Sequence, residues 1–334
     1  MEHIEELSYI GINQDHTCIT LATSTGFSVF NTYPLTHFYT RDFPGDFSIA
    51  ELLFRSNIMF LVGGRKSLSF PPSKLVVWDD GKQAIVGEIR FNEEIKALKL
   101  RRDIFCVVFE EKIYVYNTSD LTMKDMIETC TNPRGLCCLS ATSEKTIMAC
   151  PYVMKGKVII KNYNDDGIFI NIAHDSALAC MELNFDGSIL ACASDKGTLI
   201  RLFDTETFEL LYELRRGIDK ADIYSIAFHP TSEWIACSSD KGTIHIYSTG
   251  ANVSNHKLNL AFMKSVLPKY FKSEWSYAHF RIKGTKTICC FAKDNCTVIL
   301  LTSVGDFYAI NYSNPGECKI VEIRNLFEVD VDIQ

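Results

Sequence analysis

Short apolar runs closed by polar turn residues recur along the whole chain: ITLATSTGFSVFNT, SKLVVWDD, IFCVVFEEKIYVYNT, KVIIKNY, TLIRLFDT, GTIHIYST and VILLTSVGDFYAINY. Several follow one plan, an apolar strand, a tight polar turn, then a second apolar strand ending in Asp, Asn or Ser. Helical periodicity is nearly absent. Only the stretch from Leu258 to Tyr270 is predicted to form a short amphipathic helix. The pattern predicts an all-β chain.

Two of these units are near copies. One reads ILACASDKGT and ends at Thr198; the other reads WIACSSDKGT and ends at Thr243, 45 residues later. That period fits four-stranded propeller blades, and seven blades of about 45 residues fill a chain of 334. The expected architecture is one seven-bladed, WD40-like β-propeller over residues 1–334, with no second domain. Blades are placed at about 5–45, 46–91, 92–130, 131–174, 175–217, 218–283 and 284–327. The sixth is the longest, and its excess forms a loop at about 255–274.

Charge narrows the classes of partner. Net charge is −7, so bulk attraction to nucleic acid or to an anionic surface is not expected, and any anion recognition must be local. Local charge is uneven: from Ala251 to Lys286 there are seven Lys or Arg and a single acid, Glu274. Thirteen cysteines, an odd count with no C-x-x-C, read as small buried thiols in a reducing compartment. The N-terminal MEHIEELSYIG is acidic where a signal peptide is basic, and no apolar run is long enough to span a bilayer. A cytoplasmic protein is expected, any membrane contact being peripheral. No G-x-S-x-G, H-E-x-x-H or phosphate-binding loop occurs. No enzyme activity, metal or cofactor is expected.

Between the two copies stands Leu214-Arg215-Arg216-Gly217. Neighbouring residues on an extended strand point to opposite faces, so the two arginines reach into separate pockets. Guanidinium forks suit phosphate oxygens. Ser194 and Thr198 in one repeat and Ser239 and Thr243 in the next put hydroxyls at matched positions. His174 and His245 lie beside the two groups, where a histidine near phosphate can gain a proton. The plain alternative for the hydroxyls is an ordinary Ser-Asp-x-Gly-Thr blade turn.

These residues carry a family resemblance. Leu-Arg-Arg-Gly after a blade ending in KGT, the upstream Ala173-His174-Asp175-Ser176, and the KYFKSEWSYAHF segment from Lys269 to Phe280 resemble the PROPPINs, phosphoinositide-binding seven-bladed propellers. The chain is most similar to their compact, short-loop branch. The resemblance implies phosphatidylinositol 3-phosphate and phosphatidylinositol 3,5-bisphosphate as ligands. It implies a first site of His174, Ser194, Thr198, Arg201 and Arg215, and a second of Arg216, Ser225, Ser239, Thr243 and His245.

The blade-6 loop interleaves apolar residues with Lys257, Lys264, Lys269 and Lys272, a composition suited to an anionic interface. Phe262, Met263, Val266 and Leu267 are expected to insert, while Tyr270, Phe271 and Trp275 fold back on the propeller. The segment from Gly63 to Ser73, with Pro71 and Pro72, is expected to project. The resemblance implies an autophagy lipid-transfer protein bound at the early blades. The expectation is a monomeric effector on pre-autophagosomal, endosomal or vacuolar/lysosomal membranes. The competing class is a WD-type protein-interaction scaffold without lipid binding.

Overall fold

A computed structural model describes residues 6–67, 69–142, 144–250, 255 and 273–329. The described residues contain strands and turns and no helix. Seven antiparallel sheets, each built mainly from four consecutive strands, make a seven-bladed β-propeller. Their stretches are Leu7–Asp42, Phe47–Arg90, Ala97–Glu128, Cys138–Ile172, Leu178–Arg215, Ile223–Arg281 and Thr287–Asn325, named blades 1 to 7.

The sequence explains the layering within a blade. Second strands are continuous apolar runs buried on both faces, as in Cys18–Thr23 and Ile147–Pro151. Fourth strands face solvent, mixing polar with exposed apolar residues, as in Thr36–Asp42, Ala84–Arg90 and Gly167–Ile172. Strands sandwiched by neighbouring blades lose alternation; rim strands keep it or reverse it.

The chain forms two compact units, one of Met1–Gly135 with Ser303–Phe307 and Arg324–Gln334, the other of Leu136–Thr302 with Tyr308–Ile323. In the first, Phe27, Phe47, Met59 and Leu61 pack blade 1 on blade 2, and Phe60, Val77, Phe105 and Phe109 pack blade 2 on blade 3. The segment between Gly63 and Ser73, expected to project, is pinned at several described points. Gly64 N–H donates to the Asp46 carbonyl, and Phe70 is buried against Phe43 and Phe47. Ser67 Oγ accepts the Phe70 N–H at 3.1 Å.

The second unit carries the arginine motif. Blade 5 has strands Leu178–Leu183, Ile189–Ser194, Leu199–Asp204 and Leu210–Arg215; blade 6 has Ile223–Phe228, Trp234–Ser239, Thr243–Ser248 and Ala278–Arg281. Both gain a fifth, parallel strand at the rim. Glu274–Trp275, from the long connection of blade 6, pairs with Leu210–Arg215; Gly316–Glu317, from blade 7, pairs with Ala278–Arg281. The roots of the blade-6 connection are clamped by buried Asn255, whose side chain bonds the Ser248 backbone and, at 2.8 Å, Glu274 Oε2. Leu258 to Tyr270, with Phe262, Met263, Val266 and Leu267, lies outside the described residues.

The repeated SDKGT forms the same turn in both blades. Ser194 C=O accepts from Gly197 N–H at 2.9 Å, and Ser239 C=O from Gly242 N–H at 3.0 Å. Gly197 and Gly242 are left-handed, with φ of 58° and 72°. A Cβ on Gly197 would stand 1.9 Å from the Ala221 carbonyl oxygen, and one on Gly242 2.2 Å from that of Ile282. Backbone that close cannot yield as a side chain does. Gly197→Ala should therefore destabilise the protein by about 1–3 kcal/mol, read as a Tm several degrees lower. An unchanged Tm would show that the turn tolerates a side chain.

Candidate anion-binding site

The two faces of blade 5 are told apart by what they pack against. Cys192 and Phe203 sit in the core shared with blade 4, whereas Ala191, Ala193, Ile200, Leu202 and Leu214 sit in the core shared with blade 6. Strand alternation carries each face to the blade's end. Leu214 is fully buried toward blade 6, so Arg215 emerges on the blade-4 side and Arg216 turns back toward blade 6.

On the blade-4 side a row of polar groups lies in register. Arg201 stands opposite Cys192 on one neighbour and Glu213 on the other; Leu199 stands opposite Arg215. Arg201 Nε donates to Glu213 Oε2 at 3.1 Å and its Nη1 to the Ala173 carbonyl at 3.0 Å. Buried His174 lies alongside, its Nε2 3.0 Å from the Cys192 carbonyl. A carbonyl only accepts, so Nε2 carries the proton and Nδ1 is the acceptor. Buried Ser194 shares this face at the strand end. Arg215 Nε donates to Ser273 Oγ at 2.8 Å, and the Arg215 carbonyl accepts the Tyr247 hydroxyl at 2.9 Å.

Thr198 departs from the expected match. Cys192 pairs with Arg201 in blade 5 and Cys237 with His245 in blade 6, so Arg201 and His245 are the equivalent positions. Blade 5 holds one extra residue between turn glycine and ladder. Its strand begins at Leu199, where blade 6 begins at Thr243, and Thr198 stays in the turn. There its carbonyl accepts the Arg216 N–H at 3.0 Å.

The second group occupies the seam of blades 5 and 6. Cys237 and Tyr247 belong to the core shared with blade 5; Ser239, Thr243 and His245 share their side of the sheet. Arg216 comes from blade 5 to meet them. It is buried, its Nε donating to the Gly197 carbonyl at 2.8 Å and its Nη2 to the Asp219 carbonyl. Three further guanidinium N–H groups are available for an anion. Ser239 is 2% exposed, and its hydroxyl has no hydrogen-bond partner. A buried orphan hydroxyl is costly, and a ligand at the seam would satisfy it.

Ser225 does not join this group. Its hydroxyl faces blade 7, accepting the Cys289 N–H at 3.1 Å, and neighbouring Ser238 bonds the Thr287 carbonyl on the same side. A serine in the first strand of blade 6 tells nothing of its face until a bulge between Ile223 and Ser225 is known. Glu213, Ser273 and Asn255 went unnoticed in the sequence. Only the cross-strand register makes Glu213 visible, and only the returning rim strand brings Ser273 to Arg215.

Both histidines are poised as neutral groups rather than as the cations the sequence allowed. Burial is the main cause for His174, with Arg201 adding repulsion. Burial, then Arg216 and His279, push His245 down to about 4. His245 Nδ1 lies 3.1 Å from Ser276 Oγ. The positive charge at both groups therefore resides in the guanidiniums.

Comparison with known proteins agrees with this architecture. A PROPPIN family model matches residues 6–327. Autophagy-related protein 18e of Arabidopsis thaliana is 35% identical over 331 residues, covering 96% of this chain and 88% of that protein. Autophagy-related protein 18 of Saccharomyces cerevisiae is 30% identical over 325 residues, covering 76% and 64%. Kluyveromyces lactis Hsv2 has the same fold, with a TM-score of 0.78 at 22% identity over 96% of this chain and 99% of that one. The complex of KlAtg21 with the coiled coil of AgAtg16 gives 0.79 at 22% identity, again over 96% and 99%. Matched by that family model over nearly its whole length, the chain belongs to the PROPPIN family.

Proposed function

We propose that this protein is a peripheral membrane effector of autophagy, binding 3-phosphorylated phosphoinositides at two sites on blades 5 and 6. The observation that carries the reading is the placement of Arg215 and Arg216 on opposite sides of one sheet, Arg215 on the side that carries Arg201, His174 and Ser194, and Arg216 beside His245 on the side that carries the unpartnered hydroxyl of buried Ser239. Each site offers a bidentate cation for phosphate and neutral hydrogen-bonding groups for phosphate or inositol hydroxyls. The first site comprises His174, Ser194, Thr198, Arg201 and Arg215; the second comprises Arg216, Ser239, Thr243 and His245, without Ser225. Phosphatidylinositol 3-phosphate and phosphatidylinositol 3,5-bisphosphate are the ligands this reading names. Pre-autophagosomal, endosomal and vacuolar/lysosomal membranes are where the protein would act.

The sites are unequal. Glu213 offsets the charge of Arg201 at the first, whereas the partners shown for Arg216 are backbone carbonyls, which leave its charge whole. The second site should hold the more highly charged headgroup. Two modest sites on one membrane act together through effective concentration. Insertion by Phe262, Met263, Val266 and Leu267 would add to this. The names of the relatives and the coiled-coil complex of KlAtg21 support a protein partner from the autophagy machinery. The reading further names a lipid-transfer protein, with the early blades as its surface.

Three outcomes are expected. Arg215→Thr with Arg216→Thr should abolish co-sedimentation with vesicles containing phosphatidylinositol 3-phosphate. Because Arg216 ties two backbone carbonyls, a melting curve of the variant must accompany the assay; a folded variant that binds like wild type would return the chain to the scaffold class. Ser239→Ala removes a hydroxyl that bonds nothing in the protein, so Tm should hold or rise slightly, while vesicle affinity falls severalfold, about 1 kcal/mol. Unaltered affinity would remove Ser239 from the site. Finally, the native state refuses a proton on His245 that the unfolded chain accepts. Its contribution is complete above pH about 6.5 and is lost as pH falls toward 4, by as much as roughly 3 kcal/mol. Ligand-free wild type should lose Tm across that window more steeply than His245→Gln; identical slopes would mean that His245 does not titrate there.

A further inference from the structure

Three large apolar side chains stand in solvent around the first site, one of them at the end of a solvent-facing rim strand. Met154, in the turn before Lys157–Asn162 of blade 4, is 54% exposed; Ile172, ending the last strand of that blade, is 56% exposed. Ile218, directly after the Leu-Arg-Arg-Gly motif, is 68% exposed. Each is tied by backbone to the site. Lys157 N–H donates to the Met154 carbonyl, Lys157 pairs with Ile172, and the Gly156 carbonyl accepts both Ala173 and His174 N–H groups at 3.0 and 3.1 Å. The Ile218 loop is held by Gly217 N–H on Thr198 and Ala221 N–H on Lys196.

Charge separates the two ends of these blades. At the end holding the three apolar residues stand Lys155, Lys196 and Lys220, all exposed, besides the arginine pair, diluted by Asp175, Asp195 and Asp219. At the opposite end the turns carry Asp165 and Asp166 in blade 4 and Glu206 and Glu209 in blade 5, all exposed, with Lys145 ion-paired to Glu206. Apolar tips among lysines match the interface of an anionic bilayer, and the acidic end would be repelled by it. Isolated surface apolar residues need no explanation. These three flank one anion site at one electropositive end.

We infer that Met154, Ile172 and Ile218 form an apolar rim that enters the lipid interface when a headgroup occupies the first site. The inference rests on the two-site lipid reading above. The rim is separate from the blade-6 loop, and it fixes which end of blades 4 and 5 faces the bilayer.

The test compares wild type, a Met154→Ser, Ile172→Ser, Ile218→Ser variant and an Ile168→Ser control at the acidic end. Two readouts are taken: partition onto phosphatidylcholine/phosphatidylserine vesicles containing phosphatidylinositol 3-phosphate, and calorimetric binding of soluble inositol 1,3-bisphosphate. The triple variant should partition about tenfold more weakly, from partial loss of apolar burial, with soluble binding unchanged. The control should match wild type in both. If the triple variant partitions like wild type, the rim is overturned while headgroup binding by wild type keeps the two-site reading. If soluble and vesicle binding fall together, the residues shape the site and the rim is likewise overturned. If wild type ignores the soluble headgroup yet the triple variant loses vesicles, apolar contact alone holds the membrane, and the two-site reading falls together with the headgroup-dependent rim.

Discussion

Leu214 governs the arrangement of the candidate sites. Its side chain is wholly buried in the core between blades 5 and 6, and that one commitment sets the phase of the strand end. With Leu214 turned one way, pleat geometry sends Arg215 the other. Two hydrogen bonds to backbone carbonyls lock the phase: the Tyr247 hydroxyl on the Arg215 carbonyl and the Arg216 N–H on the Thr198 carbonyl. A slip of one residue would exchange the arginines between seams and expose a leucine. Hydrophobic burial thus decides where charge is presented, although it contributes nothing to binding an anion.

Electrostatics within the seams follow from burial as well. Desolvation discharges His174 and His245, and the same low polarity strengthens whatever bonds the guanidiniums make. Arg201 is neutralised by its cross-strand partner Glu213. Arg216 is held by carbonyl dipoles, which orient it without cancelling its charge. The two groups are therefore related by repeat but not by charge.

The propeller was legible because its signal is repeated and strong. Apolar runs, turn residues and two near-identical SDKGT turns all point to blades, and the strand count agrees. The arginine pair was legible for the same reason, since alternation is a rule of backbone geometry. What escaped depends on single-residue offsets. One extra residue after Gly197 moves Thr198 off the ladder and gives its expected place to Leu199. A bulge before Ser225 turns its hydroxyl to blade 7. Neither leaves a trace in composition or period. The segment after Gly63 keeps Arg65 and Lys66 in solvent, while Phe70 anchors it through aromatic packing absent from any local pattern.

The rim strands Glu274–Trp275 and Gly316–Glu317 have a mechanical consequence. Each is lent backward, from the connection of one blade to the outer edge of the blade before it. Blades 5, 6 and 7 therefore overlap like roof tiles, and none can be peeled away without uncovering the next. Asn255 and Glu274 hold the root of the lent strand of blade 6, and Ser273 reaches the side chain of Arg215. A load applied to the long connection of blade 6 would pass through a strand pair into blade 5, to the residue proposed to grip the membrane, rather than into blade 6 alone.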